Sequence, residues 1–198
     1  MVQNLEAAVN AHIRLNKADD PRVTRTRNDV LAEAINILVN DGWDAVTYAR
    51  VAAQSGYSRA TIYAHWPERI DLMRDAFTRY EQTPHPEKSG DPEVDLRAEV
   101  ISFSRAMVEF RLERVLATLA ERSQTTPEVI GIRDSFVATG ERPMRETLLA
   151  VASGPPQEAA LLMLCGMVTH SVLLHGKPPT TEVVDSAIEM VLSGLGQR

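Results

Sequence analysis

The sequence predicts an all-α protein of about nine helices in two domains. Apolar residues recur at spacings of three and four along nearly every structured stretch, and no stretch sustains a period-two alternation. Clusters of Pro and Gly separate these stretches at fairly regular intervals. Ser, Thr and Asp stand where helices would need caps.

Residues 1–21 form an N-terminal extension, either a tail or an extra helix with Leu5, Val9 and Ile13 on one stripe. A helix-bearing domain follows over residues 22–81. Its first helix is expected from about residue 28 to 40, with Val30, Leu31, Ala34, Ile37 and Leu38 at helical spacing. Thr26 and Asp29 resemble a capping box, and Asp41-Gly42 supplies the stop. Two short helices come next, one capped by Thr47 and ending near Ser55-Gly56, the other capped by Ser58 and ending before Trp66-Pro67. Pro67 suits the first position of a fourth helix through Leu72, Met73, Ala76 and Phe77.

Residues 82–92, rich in proline, form the linker. A second helical domain occupies residues 93–198. The apolar pattern from Val94 to about Ser123 is long for one helix, so a break is expected at a position the pattern does not mark. A helix opening at Pro127 is expected to be disturbed by Gly140 and Pro143. Ser153-Gly154-Pro155-Pro156 and Gly176-Lys177-Pro178-Pro179 bracket a helix of about twenty residues, and a last helix spans about 181–195.

Charge is unevenly placed. The chain carries 21 Lys and Arg against 27 Asp and Glu, a net charge of -6. Residues 1–80 hold ten of each sign, so the excess acid lies entirely beyond residue 80. Residues 45–66 contain Arg50 and Arg59 and no acid at all, which leaves one segment compatible with a polyanion. The single cysteine, Cys165, rules out an intramolecular disulfide framework and suits a reducing cytoplasm. No secretory signal is seen, and no apolar run is read as long enough to cross a bilayer.

The two short helices carry the most specific signal. On the second of them Ile62 supplies the inward side and Trp66 closes the end, leaving Arg59, Ala60, Thr61, Tyr63 and His65 outside. A polar, acid-free second helix with a buried back is what a DNA-reading helix-turn-helix requires. From Thr47 to Leu72, TYARVAAQSGYSRATIYAHWPERIDL resembles the helix-turn-helix signature of the tetracycline-repressor (TetR) family, and the likeness extends over roughly residues 26–78. Trp66 stands where the family usually has phenylalanine, Arg69 where it has lysine, and Ala60 where glycine is frequent. The resemblance implies a bacterial, cytoplasmic homodimer that binds palindromic double-stranded DNA, most often as a repressor released by a small molecule.

The DNA-contacting residues expected on this basis are Arg25, Arg27, Thr47, Ser58, Arg59, Ala60, Thr61, Tyr63, His65 and Arg69. Arg59 is suited to a guanine and Thr61 to a thymine methyl or base edge. Tyr63, His65, Arg69 and Arg25 are suited to phosphates. Arg25 and Arg27, read as preceding the first helix, are also placed to reach a minor groove. Thr47 and Ser58 cap helices whose N-terminal amides favour anions.

In the second domain, the helix of residues 157–175 is apolar nearly all round and must be covered on both sides. With the last helix it resembles that family's dimerising pair. Leu161, Leu164, Cys165, Val168, Val172, Val184, Ile188, Val191 and Leu195 are assigned to the interface. An effector pocket is assigned to Phe103, Met107, Phe110, Phe136, Met144, Met167 and His170, which suit an apolar ligand. No cofactor is expected. A metal reading of Cys165, His170 and His175 is set aside because steps of five turn by about 140° on a helix. Nothing resembles a catalytic motif. The rival to a regulator is a helical ligand-binding or scaffold protein whose helix-turn-helix no longer binds DNA.

Overall fold

The computed structural model describes residues 21–80 and 85–196. The expectation for residues 1–20 lies outside them. Among the described residues there are nine α-helices, one 3-10 turn and no strand, the all-α architecture the periodicity predicts. The chain divides into two compact units, up to Tyr80 and from Glu81 onward.

In the first unit, α1 (Pro21–Asp41) buries Val30, Leu31, Ala34, Ile37 and Leu38 on one stripe. It begins well before residue 28. Thr26 is inside the helix, its hydroxyl donating back to the Arg22 carbonyl at 2.9 Å, so it does not cap. Arg25 and Arg27 are therefore helical residues and form no arm ahead of the helix. Gly42, at φ 89°, ends the helix and leads into a 3-10 turn, Trp43–Ala45.

The next two helices are set by local chemistry. Thr47 is extended and its side chain accepts from the Arg50 amide, opening α2 (Tyr48–Ser55). Gly56 closes α2 in the left-handed region at φ 76°, where a side chain would be strained. Ser58 accepts from the Thr61 amide and opens α3 (Arg59–His65). The fourth helix, α4 (Arg69–Tyr80), starts two residues beyond Pro67. Leu72, Met73, Ala76 and Phe77 turn its inner face onto α1.

In the second unit, Asp91 caps α5 (Pro92–Glu109) by accepting from the Glu93 and Val94 amides, with Pro92 in the first turn. The break before α6 (Leu112–Arg122) falls at Arg111, at φ 57°. A left-handed arginine carries a Cβ cost of roughly 1–2 kcal/mol, and the Arg111 guanidinium is tied to Glu113 at 2.9 Å. Contrary to expectation, α7 (Pro127–Leu149) runs unbroken through Gly140 and Pro143. The last two helices are α8 (Pro155–His175) and α9 (Thr181–Gly194), with Gly176 closing α8 in the left-handed region.

α8 packs on α5 and α7, and α9 packs on α5. Leu161, Leu164, Val168 and Val172 of α8, with Val184, Ile188 and Val191 of α9, are buried within this one protomer. They are core residues, which corrects their assignment to a dimer interface; a side chain already enclosed by its own chain has no surface to offer a partner. Cys165 and Leu195 are only half-buried. The exposed stripe of α8 is instead Leu162, Met163, Leu173 and Leu174, continued on α9 by Val183 and Met190. By length and composition α8 is the one described helix that could cross a membrane, a qualification to the reading that no run suffices.

Candidate nucleic-acid interface

The surface of α3 is built from its buried side outward. Ile62 and Trp66 are enclosed, so the helix can present only the opposite side. There Ser58, Arg59 and Ala60 are exposed at its first turn, and Thr61 is half-exposed. Arg59 makes no hydrogen bond or ion pair with another described residue, and neither α2 nor α3 contains an acid. A cation held out by a helix with no carboxylate of its own is chemically open to a phosphate or a base edge.

Tyr63 is 50% exposed, yet its ring is fixed. It lies 4.1 Å from the Tyr48 ring, and the Tyr48 hydroxyl donates to the Trp66 carbonyl at 2.8 Å. Burial, and then the Tyr63 hydroxyl nearby, push the Tyr48 phenol above its ordinary value, so it stays a neutral donor. Tyr48 thus positions Tyr63. The Thr61 hydroxyl sits 2.9 Å from Ser58 Oγ, which also accepts from the Thr61 amide. Ser58 and Thr61 therefore act as one unit at the helix start.

His65 is half-buried against Trp66, with ring centroids 5.5 Å apart. Arg25 leaves 83% of its side chain exposed and reaches Asp29 only at 3.9 Å. Thr47 is exposed while its oxygen caps α2. These remain on the outer face.

Two predicted cations do not. Arg69 donates to the carbonyls of Trp43 and Val46 at 3.3 and 3.4 Å and lies over the Trp43 ring. It ties α4 to the 3-10 turn. Arg27 lies over the Trp66 ring and pairs with Asp75 at 2.5 Å. The same Asp75 oxygen accepts from the Trp66 indole N–H at 2.8 Å. Fixed acceptors and aromatic faces hold both guanidinium groups, so both arginines act as struts of the domain. Asp75 was missed: in sequence it is an ordinary acid of α4, recognisable only once Trp66 and Arg27 are seen beside it. Tyr57 was missed similarly, its hydroxyl donating to Asp29 at 2.9 Å and fastening the turn to α1.

Residues 30–76, which span these elements, match the family model described as bacterial regulatory proteins, tetR family. That stretch is a TetR-family helix-turn-helix domain. The chain is a transcriptional regulator with a helix-turn-helix DNA-binding domain. It is 25% identical over 171 residues to the uncharacterised regulator Rv1556 of Mycobacterium tuberculosis, covering 83% of this chain and 84% of that one. It is 29% identical to YdeS of Bacillus subtilis over 46% of each chain, so it spans about half of that relative's length. Among solved structures, the TetR-family regulator SCO0332 is 26% identical with a TM-score of 0.64, covering 85% of this chain and 97% of that one. The flavonoid-responsive regulator FrrA shares the fold at 19% identity and a TM-score of 0.66, over 87% of this chain and 95% of that one.

The seven residues assigned to an effector pocket are not brought into one cavity. Met107, Phe136 and Met144 are enclosed, Phe103 is half-buried, and Phe110 is turned out at the α5–α6 corner. Met167 and His170 line an open groove of about 580 Å³ on the outer side of α8. His170 is exposed and lies about 160° around the helix from the buried Val168, so it turns away from the enclosed set.

Proposed function

We propose that this TetR-family regulator is a homodimeric repressor that sets α3 of each copy into a major groove of a palindromic operator. The observation that carries the reading is the acid-free outer face of α3, with an unpaired Arg59 beside a buttressed Tyr63. Arg59, Ala60 and Thr61 read base edges, while Thr47, Ser58, Tyr63, His65 and Arg25 hold the phosphate backbone. Half-sites about 34–36 Å apart then match successive turns of the duplex.

Dimerisation uses the exposed stripe of α8 and α9. Met163, Leu174 and Met190 are 64%, 70% and 69% exposed, a concentration of apolar surface that a second copy would cover. A small, largely apolar effector releases the operator by favouring a different half-site spacing. Phe103, Met107, Phe136 and Met144 supply its apolar surroundings, and the buried Ser104 hydroxyl, which has no hydrogen-bond partner, supplies a polar one. That a protein of the same fold is named for its response to flavonoids supports this class of effector.

The test is a salt series on DNA selected from a random pool. Log affinity should fall with log salt by about 0.9 per phosphate neutralised, and the selected sites should be palindromic. Retention that ignores salt, or no selection at all, would support the scaffold reading instead.

A further inference from the structure

The outer groove of α8 holds two histidines, and its chemistry is unlike the rest of that face. His170 and His175 are five residues apart, a step that turns about 140° on an ideal helix and argues against a shared site. Yet their ring centroids are 5.2 Å apart. His175 is the last residue of α8, immediately before the left-handed Gly176, and the two imidazole planes are tilted by 59°. The hydroxyl of the nearby Ser171 donates to the Lys177 carbonyl at 2.9 Å.

The separation has a chemical meaning. A metal ion bound by two imidazole nitrogens at about 2.0–2.1 Å in tetrahedral geometry holds the two ring centroids about 5 Å apart. The groove offers a third ligand of compatible type. Met167 lines it together with both histidines, about one turn before His170 on the same helix. No carboxylate lines the groove, which disfavours a hard cation, and Lys177 is its one Lys, Arg, Asp or Glu. Imidazole and thioether together suit a borderline or soft transition-metal ion.

We infer that His170 and His175, assisted by Met167, form a transition-metal site within each protomer. The site lies on the face proposed for dimerisation but needs no residue from the second copy. Occupancy at that position would link metal availability to how the two copies pack, since the groove also contains Met163 and Val183 of the exposed apolar stripe.

The full-length protein, stripped with a chelator, is to be titrated calorimetrically with Zn(II), and with Cu(I) under anaerobic reducing conditions. Sedimentation is measured in parallel. One ion per protomer is expected. His170→Ala and His175→Ala should each weaken binding at least about tenfold. His85→Ala, in a different part of the fold, should leave it unchanged. Met167→Leu should weaken Cu(I) more than Zn(II). His170→Gln and His175→Gln keep side-chain bulk and guard against a folding artefact. No uptake by the parent protein overturns the inference, as does uptake unchanged by both histidine substitutions. A dimer that takes up no metal overturns the site and leaves dimerisation standing; a monomer that binds metal does the reverse.

Discussion

Replacing Asp75 by alanine should destabilise the DNA-binding unit far more than removing a surface carboxylate, and only while residue 66 is tryptophan. Trp66 is 1% exposed, and its indole N–H has its acceptor in Asp75 Oδ2 at 2.8 Å. Removing the acceptor strands a buried donor, a cost of about 1–3 kcal/mol. The Arg27–Asp75 pair adds little, because both side chains remain more than a third exposed and such pairs contribute well under about 1 kcal/mol. The Trp66→Phe change deletes the donor, so in that background Asp75→Ala should cost only the exposed pair. A double-mutant cycle should therefore show a coupling of about 1–2 kcal/mol. Urea unfolding followed by tryptophan fluorescence reports this unit alone, since both tryptophans, Trp43 and Trp66, lie in it. Trp43 remains as reporter in the Trp66→Phe background. Equal costs of Asp75→Ala in the two backgrounds would refute the argument that the indole contact holds α4 against the end of α3.

Three further outcomes follow from the same structure. Arg59→Ala should reduce affinity for selected DNA by about 1–3 kcal/mol and relax preference at one base position, with unchanged circular dichroism, because Arg59 holds nothing within the fold; band-shift titration measures it. Hydrogen bonds from the Ser89 hydroxyl first, then the Ser89 and Gly90 amides, hold the Asp95 carboxyl below its ordinary value. Its contribution is therefore complete above the unfolded carboxylate range near pH 4 and lost as pH falls through the depressed folded value; Asp95→Asn should lower stability at pH 7 and flatten that acid limb in pH-dependent melting. Burial, with Glu141 adding to it, pushes the Cys165 thiol up to about 12, so almost none of it is the reactive thiolate at pH 8; labelling with a thiol reagent should be slow in the native protein and fast in urea.

The DNA-binding unit was legible wherever its determinants are local. Thr47, Gly56 and Ser58 act on amides or dihedral angles within a few residues, and each stands where the sequence placed it. The beginning of α1 was not legible, because its first two turns carry Arg22, Arg25 and Arg27 and no apolar stripe. At least one anchor of that segment is a tertiary pair, Arg27 with Asp75, 48 residues away. The internal partners of Arg69 and Arg27 were hidden for the same reason: a cation near a predicted interface looks free until the carbonyls or carboxylate that hold it are in view. Breaks misled in both directions. Pro143 interrupts nothing in the helix around it, while Arg111, a residue with no turn preference, adopts the left-handed conformation that ends α5.

The long apolar helix α8 carries the deepest ambiguity, and the structure resolves it by asymmetry. An all-round apolar helix tells that both sides are covered, not which side faces its own chain. Leu161, Leu164, Val168 and Val172, assigned to the interface from sequence, instead turn inward in a part of the core that α5 and α7 cover. The opposite side keeps Met163 and Leu174 in the open, with His170 and His175 among them. Two polar rings in an otherwise apolar stripe weaken a purely hydrophobic interface, since an imidazole enclosed without a partner leaves polar groups unsatisfied. A metal ion bound by both rings satisfies one nitrogen of each and halves that deficit. The same face can then be a stable interface when the ion is present and a weaker one when it is absent. On that account His170→Leu with His175→Leu should give a dimer at least as tight as the parent and indifferent to chelator, and sedimentation with and without chelator decides it. A double leucine variant that fails to dimerise while staying folded would show that the histidines face something other than a second copy.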